Sequence, residues 1–359
     1  MIFLAPTNKA VDVLCRKLLA KGIEKPRVNT VHKAIYKLSK EYKERQDTLN
    51  QLFKKLEVDR TNLDLLNEIK RLQDLPFDDA VNISSGDIVI VDECSMVSAE
   101  MFQRLLNTKG RFLFVGDPFQ LPPVDGTAIF QTMQPNAMLT EITRQALDNP
   151  IIRLSMQIRN GEFIQFPNIA SGNYSVFQRN YRDVEDSWLL YADKILAGWN
   201  ENRHFINKRV RQIKGYMSMW PLAGESLICR FNQANSEETG MVSGTECECV
   251  EDSYFLHTYL TVKLRFRGKE FKSEIFKEPF LQNNTPKNHR SYPIPTHIRE
   301  CLQLEYAYAQ TVHTAQGSEW DTVVVIDDWS KKSDNYRNWL YTGITRAKTN
   351  LLVVSNMRL

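Results

Sequence analysis

The chain has 359 residues, 42% hydrophobic and 25% charged, the make-up of an ordinary globular protein with room for two or three cores. Its formal net charge of +3 is too small to identify a partner, though a locally basic nucleic-acid groove is compatible with it. Six scattered cysteines (Cys15, Cys94, Cys229, Cys247, Cys249 and Cys301), with no C-x-x-C pair and no histidine at ligand spacing, indicate neither a zinc site nor a disulfide framework. No signal peptide or apolar run of membrane-spanning length is visible, so a reducing, cytoplasmic setting and no membrane partner are expected.

Ile2–Ala5 reads as a strand, followed by the turn Pro6-Thr7-Asn8-Lys9-Ala10 and an amphipathic helix Val11–Lys21 closed by Gly22. Thr7 and Asn8 at that helix start either bind a phosphate through backbone N–H groups or simply cap the helix. Thr30-Val31-His32 opens another helix. Leu49, Leu52, Phe53 and Leu56 are spaced for one helix face and Leu65, Ile69 and Leu72 for a second, giving a charged helical hairpin.

Ile88–Val91, bounded by Gly86, is too short for a buried helix and predicts a fully buried parallel strand. Asp92 and Glu93 follow at its C-terminal end, where ligands bind in open α/β sheets. A second buried run, Phe112–Val115, ends in Gly116-Asp117 with Gln120 just beyond. Two such strands suit a Mg-nucleotide site, with one carboxylate to hold the metal and another to orient a water. The plainer alternative is an acidic pair capping a strand where a helix begins, as Ser95 and Ser98 also suggest.

Further on, Lys194–Gly198 predicts a strand, and Asn200, Arg203, Asn207 and Arg211 recur along one helical face. These polar residues either bond phosphates or solvate the helix, and Trp199 is either a stacking or a core residue. From Gly224 the period changes to two, with strands at Ser226–Phe231, Cys247–Val250 and Thr261–Arg267. In the last, Lys263, Arg265 and Arg267 form a basic outer face, either a path for single-stranded DNA or a solvated surface. Val323–Ile326 is a buried strand.

VDECSM followed by GDPFQLPPV resembles motifs II and III of superfamily 1 DNA helicases in the RecD/Dda-like branch. APTNKAV resembles motif Ia, and Thr30-Val31-His32 the short Ib element. WNENRHFINKRVRQIKG resembles these helicases' N-x-x-R helix, Ala309-Gln310-Thr311-Val312-His313-Thr314-Ala315-Gln316-Gly317-Ser318-Glu319 motif V, and Tyr341–Lys348 motif VI. The resemblance implies an α/β fold of two RecA-like parallel-sheet domains, the first incomplete, with a small SH3-like β-barrel inserted in the second. The implied boundaries are 1–145 for domain 1A, with a helical insertion about 40–80 in the 1B position. Domain 2A would span 146–223 and 301–359, and the 2B insertion 224–300.

It further implies ATP and Mg2+ as cofactors, with Asp92 holding the metal through water. Asp92, Glu93, Gln120, Arg144 (in Leu139–Gln145) and Arg346 would be catalytic, Arg346 as arginine finger. Asp92, Gln316, Gly317, Glu319 and Arg346 would bind nucleotide. Pro6, Thr7, Asn8, His32, Asn200, Arg203, Thr311 and His313 would face single-stranded DNA. Thr314 stands where many relatives carry lysine, removing one cation.

In the family a loop G-x-x-G-x-G-K-[ST] precedes motif Ia, but the 15 glycines here include no G-K-[ST] triplet. The expectation is therefore a helicase or translocase, five-prime to three-prime, truncated before motif Ia or split, with a separate P-loop segment as partner. A monomer acting in replication, recombination or repair is implied. This chain alone would hydrolyse ATP poorly, and Phe112–Val115 would present an unpaired apolar edge. The alternative is a non-catalytic single-stranded-DNA-binding remnant.

Overall fold

The computed structural model describes residues 1–35, 48, 51–52, 55, 64–65, 68, 83–140, 148–230, 241–256, 259–277, 280 and 301–355. The chain divides into two compact units, one of Met1–Val91, Gln103–Leu113 and Ser218–Glu305, the other of Asp92–Phe102, Phe114–Met217 and Tyr306–Leu359.

The first unit starts with β1 (Ile2–Ala5) and α1 (Asn8–Ala20), then β2 (Val28–Thr30) and the short α2 (Val31–Ile35). Thr7 caps α1, its hydroxyl accepting from the Ala10 N–H at 3.1 Å, and Gly22 ends the helix with a left-handed φ of 84°. β3 (Ile88–Val91) continues a sheet of order β2-β1-β3-β4, in which β1 runs parallel to both β2 and β3. Val89 and Val91 are buried but Ile88 is not, so the run is less enclosed than its apolar letters predict. After α3 (Ala99–Leu106), β4 (Arg111–Phe114) lies at the end of the sheet. The expectation of a buried run fails here and that of an apolar edge agrees: Leu113 is 54% and Val115 45% exposed, because nothing among the described strands covers β4's outer side. The expected helical hairpin falls almost wholly on residues outside those described.

In the second unit come α4 (Ile129–Thr132), α5 (Pro150–Arg159), β5 (Ile169–Ser171), β6 (Tyr174–Asn180), α6 (Asp186–Tyr191), β7 (Lys194–Ala197) and α7 (Asn200–Ile213).

Chain then returns to the first unit with an antiparallel sheet of β8 (Ser226–Cys229), β9 (Glu246–Cys249), β10 (Tyr254–Leu256), β11 (Tyr259–Phe266), β12 (Lys269–Ile275) and β13 (Leu304–Tyr306). Its path is β10-β11-β9-β8-β13, with β12 on β11. Arg267, at the β11–β12 turn, pairs with Asp12 of α1. The basic outer face of β11 is not free charge. Arg265 meets Glu248 at 2.8 Å and Glu270 at 2.7 Å, and Lys263 meets Glu251 at 2.8 Å. Neighbouring strands thus supply the acids that neutralise it.

β14 (Ala309–Thr311), β15 (Trp320–Ile326), α8 (Tyr336–Ile344) and β16 (Ala347–Ser355) complete the second unit. Its sheet has the order β14-β7-β15-β16-β6-β5, parallel throughout except for β5 against β6. Val323 and Val325 pack with Ile151, Leu154, Trp339 and Leu340 on one face. Val324 and Ile326 pack with Leu189, Ile206 and Val210 on the other. Burial on both sides is why Val323–Ile326 of β15 reads as an unbroken apolar run.

Candidate functional site

Asp92 and Glu93 leave the C-terminal end of β3 half-buried. Glu93 takes the left-handed conformation, φ 52°, before the 3-10 turn Cys94–Met96. Such backbone is costly for a non-glycine and is held where the surroundings fix it. Here the Cys94 N–H donates to the Val115 carbonyl at 3.0 Å, tying the acidic turn to the segment after β4. Gly116 permits this approach, since a Cβ there would lie 2.8 Å from both the nitrogen and the sulfur of Cys94. Gly116→Ala is accordingly expected to destabilise the chain by about 1–3 kcal/mol, read as a lowered denaturant midpoint. Burial pushes the Cys94 thiol up to about 11, so it stays protonated.

The segment beyond Gly116 is bound to α8. Asp117 accepts from the Tyr341 hydroxyl at 2.7 Å, Leu121 N–H donates to Thr342 Oγ1 at 2.9 Å, and Asn338 Nδ2 donates to the Phe119 and Gln120 carbonyls. Gln316 reaches the Leu121 carbonyl at 3.4 Å. Gln120 is buried, and its Oε1 has no hydrogen-bond partner; the Oγ atoms of Ser95 and Ser318 share that condition. Buried acceptors left open are costly and mark where a ligand or water fits.

Arg346 follows α8 and is 5% exposed. It donates from Nε to the Thr342 carbonyl at 2.9 Å, from Nη1 to the Ser318 carbonyl at 3.1 Å and from Nη2 to Thr345 Oγ1 at 3.0 Å. Burial lowers its pKa, while the negative fields of Glu93, Glu319, Tyr341 and Asp117 raise it. Three of a guanidinium's five N–H donors are thereby used and two remain. Gly317, φ 75°, turns the chain between Gln316 and Glu319, which is exposed. Glu93, Gln120, Gln316, Glu319 and Arg346 therefore belong to one compact unit. Arg144 lies outside the described residues.

Among the described residues no group of three or more His, Cys, Asp or Glu is placed to hold a metal by itself. Mg2+ does not require one. It is usually held by one or two carboxylates together with phosphate oxygens and water, and the half-buried Asp92 fits that donor set.

The residues expected to face DNA separate into two groups. Pro6 and Asn8 are half-buried around α1's start and His32 is exposed on α2, all in the first unit. Thr7's hydroxyl is occupied as a cap, the plainer of its two readings. In the second unit, Thr311 Oγ1 meets Thr314 Oγ1 at 2.9 Å. His313 is held below its usual pKa by burial. Asn200 is exposed, whereas Arg203 is 1% exposed with His204 at 2.9 Å from its guanidinium. Asn207 bonds the Ala309 backbone in both directions and Arg211 lies over the Tyr306 ring, so both fasten α7 to the sheet.

Sequence reasoning did not single out Tyr341, Asn338, Thr342, Asp328 or Trp329. The signal for the last two was their place directly after buried β15, at a parallel strand's C-terminal end. Among the described residues no helix is long and apolar enough to cross a membrane.

The family described as AAA domain matches residues 1–171, and the family described as UvrD-like helicase C-terminal domain matches 306–354. The ATP-dependent RecD2 DNA helicase of Deinococcus radiodurans is 27% identical over 274 residues, covering 73% of this chain and 35% of that protein. The RecBCD enzyme subunit RecD of Buchnera aphidicola is 23% identical over 333 residues, covering 76% of this chain and 55% of that one. The chain thus spans about a third to just over half of these relatives. In fold it is similar to the Pif1 helicase of Candida albicans, with a TM-score of 0.50 at 16% identity over 100% of this chain and 91% of that one.

Proposed function

Because the chain belongs to the superfamily 1 helicases of the RecD/Dda-like branch, we propose that it is the motor portion of an ATP-dependent DNA helicase or translocase. It would act on single-stranded DNA and duplex junctions, tracking five-prime to three-prime as a cytoplasmic monomer alongside replication or recombination proteins. The observation that carries this reading is the negative field of Glu93 on the buried guanidinium of Arg346, in the unit that also holds the unbonded Oε1 of Gln120.

On this reading the working domains are 1–145, then 146–223 with 301–359, and the insertion 224–300. Bound ATP with Mg2+ supplies the phosphoryl group and the cation that offsets its charge. Asp92 would hold that cation, and Glu93 would orient the attacking water and take its proton. Gln120 senses the phosphate end, and Arg144 and Arg346 spread charge away from it. Gln316, Gly317 and Glu319 border the nucleoside. Pro6, Thr7, Asn8 and His32 would face DNA from the first unit, and Asn200, Thr311 and His313 from the second. Motion follows if these contacts differ between the nucleotide-bound and free states.

A second reading is a DNA-binding chain that does not turn over ATP, with which the lack of a G-K-[ST] triplet within residues 1–359 is compatible. One assay separates them. ATP turnover with single-stranded DNA is expected to be slow for residues 1–359 alone. It should rise when a segment bearing G-x-x-G-x-G-K-[ST] is mixed in or fused. DNA binding with no turnover in either case would leave the remnant standing, and binding of neither DNA nor nucleotide would remove both readings.

A further inference from the structure

Three neighbouring parallel strands of the second unit, β14, β7 and β15, end together and deliver aromatic rings to one edge. β7 ends at Ala197 and is followed by Gly198-Trp199; β14 leads to His313; β15 leads to Asp327-Asp328-Trp329. Register confirms the shared edge, with Thr311 beside Ala197.

The indoles of Trp199 and Trp329 stack with centroids 4.9 Å apart and planes at 18°. Trp329 lies over Trp339 at 6.1 Å and 8°, and the His313 ring is 5.5 Å from Trp329. The inner end of this stack is core, Trp339 being fully buried, while its outer member Trp199 is 52% exposed. An exposed tryptophan is usually mobile; this one is not. Its Nε1–H donates to the Asp328 carbonyl at 3.0 Å and its backbone N–H to Asp328 Oδ2 at 3.3 Å. Asp328 also accepts from Gly198 N–H at 2.6 Å and Asn202 Nδ2 at 2.5 Å. Gly198 allows this packing, because a Cβ there would lie 2.7 Å from Asp328 Oδ1 and 2.9 Å from the Trp329 ring.

A rigid aromatic face open to solvent has already lost the freedom that binding a flat ligand would remove. It sits at the strand ends where α/β sheets take ligands. Beyond Ser330 come the exposed Lys331 and Lys332, the first paired with Asp327 at 3.5 Å, and anionic backbone is complementary to the exposed Lys332. We propose that Trp199, backed by Trp329, is a stacking platform for an unpaired nucleobase of single-stranded DNA, so that the chain grips bases as well as phosphates. This rests on the single-stranded-DNA reading above and adds a residue that none of its motifs assigns. Stacking tolerates every base, so affinity is gained without sequence choice.

The test compares binding of the full chain to an oligothymidylate of roughly 12 nucleotides and to an abasic deoxyribose-phosphate oligomer of the same length, by fluorescence anisotropy. Trp199→Ala and Trp199→Leu are each expected to weaken oligothymidylate binding about 5–150-fold and to leave abasic binding unchanged. Trp199→Phe should retain most of the affinity, and an unchanged melting temperature shows that the variants fold. Equal affinity of wild type and Trp199→Ala for oligothymidylate would overturn the platform while leaving DNA binding intact. So would an equal loss on both oligomers. Wild-type chain that binds neither oligomer would overturn the platform and the parent reading together.

Discussion

Replacing Arg346 by lysine is expected to lower single-stranded-DNA-stimulated ATP turnover by roughly 10³-fold or more in the chain supplied with a phosphate-binding loop. The guanidinium is planar and presents five donors in a fixed fork, whereas an ammonium offers a point charge on a flexible stem. Three of those donors hold Thr342, Ser318 and Thr345, which aims the remaining pair without further ordering. Lysine keeps the charge and loses the aim. The rate loss should therefore greatly exceed the loss of nucleotide affinity, so kcat falls while KM moves little. A drop of less than about tenfold, well under the range for such arginines, would remove Arg346 from the reacting phosphoryl group. It would then be a structural clamp between the segment at Ser318 and α8.

The second large effect is expected at Asp328, where alanine should cost on the order of 3 kcal/mol, since several buried donors lose their acceptor at once. Asparagine should cost much less. Burial raises the Asp328 carboxyl above its ordinary range, against hydrogen bonds from Asn202, Gly198 and Trp199 that lower it. With the folded pKa raised, the folded state binds the proton more tightly than the unfolded chain does. The resulting stabilisation is full below the unfolded value of about 3.9 and is lost as pH rises through the folded value. A neutral amide copies the protonated form and should flatten that slope. Asp327 shifts in the same direction for the same chief reason, so part of the slope should survive in Asp328→Asn. Chemical denaturation from pH 4 to 7 reads both effects. An alanine variant as stable as wild type would show that the three donors find water instead.

Much of the fold was legible because it lies in runs of like residues. β3 is apolar letters in a row, as are Ile195–Ala197 of β7 and Val323–Ile326 of β15, and burial on both sides of a parallel sheet favours such rows. The acidic pair after β3 and the arginine after α8 were visible as motifs, and Glu93 and Arg346 do fall in one unit. Features made between strands were not legible. Lys263 and Arg265 read as a cationic face until Glu248, Glu251 and Glu270 arrive from β9, the loop after it and β12. Nothing in a single strand's letters reports its neighbours. The letters of Phe112–Val115 read as buried; its place at the edge was signalled only by the lack of a G-K-[ST] triplet, and β4 does lie last in its sheet among the described strands. Asp328 carries no motif at all; its role exists only because β7 and β15 pair and bring Gly198 beside it.

The strand order of the second sheet also bears on how the polypeptide emerges from the ribosome. β7 is flanked by β14 and β15, yet about 110 residues separate Ala197 from Ala309. At about 5–20 residues per second that interval is on the order of 10 s. Throughout it the nascent Lys194–Ala197 segment, buried on completion, has neither neighbour to pair with. Its synthesis therefore has a window in which chaperone capture competes with aggregation, and the window closes only when the last sixth or so of the chain has been made.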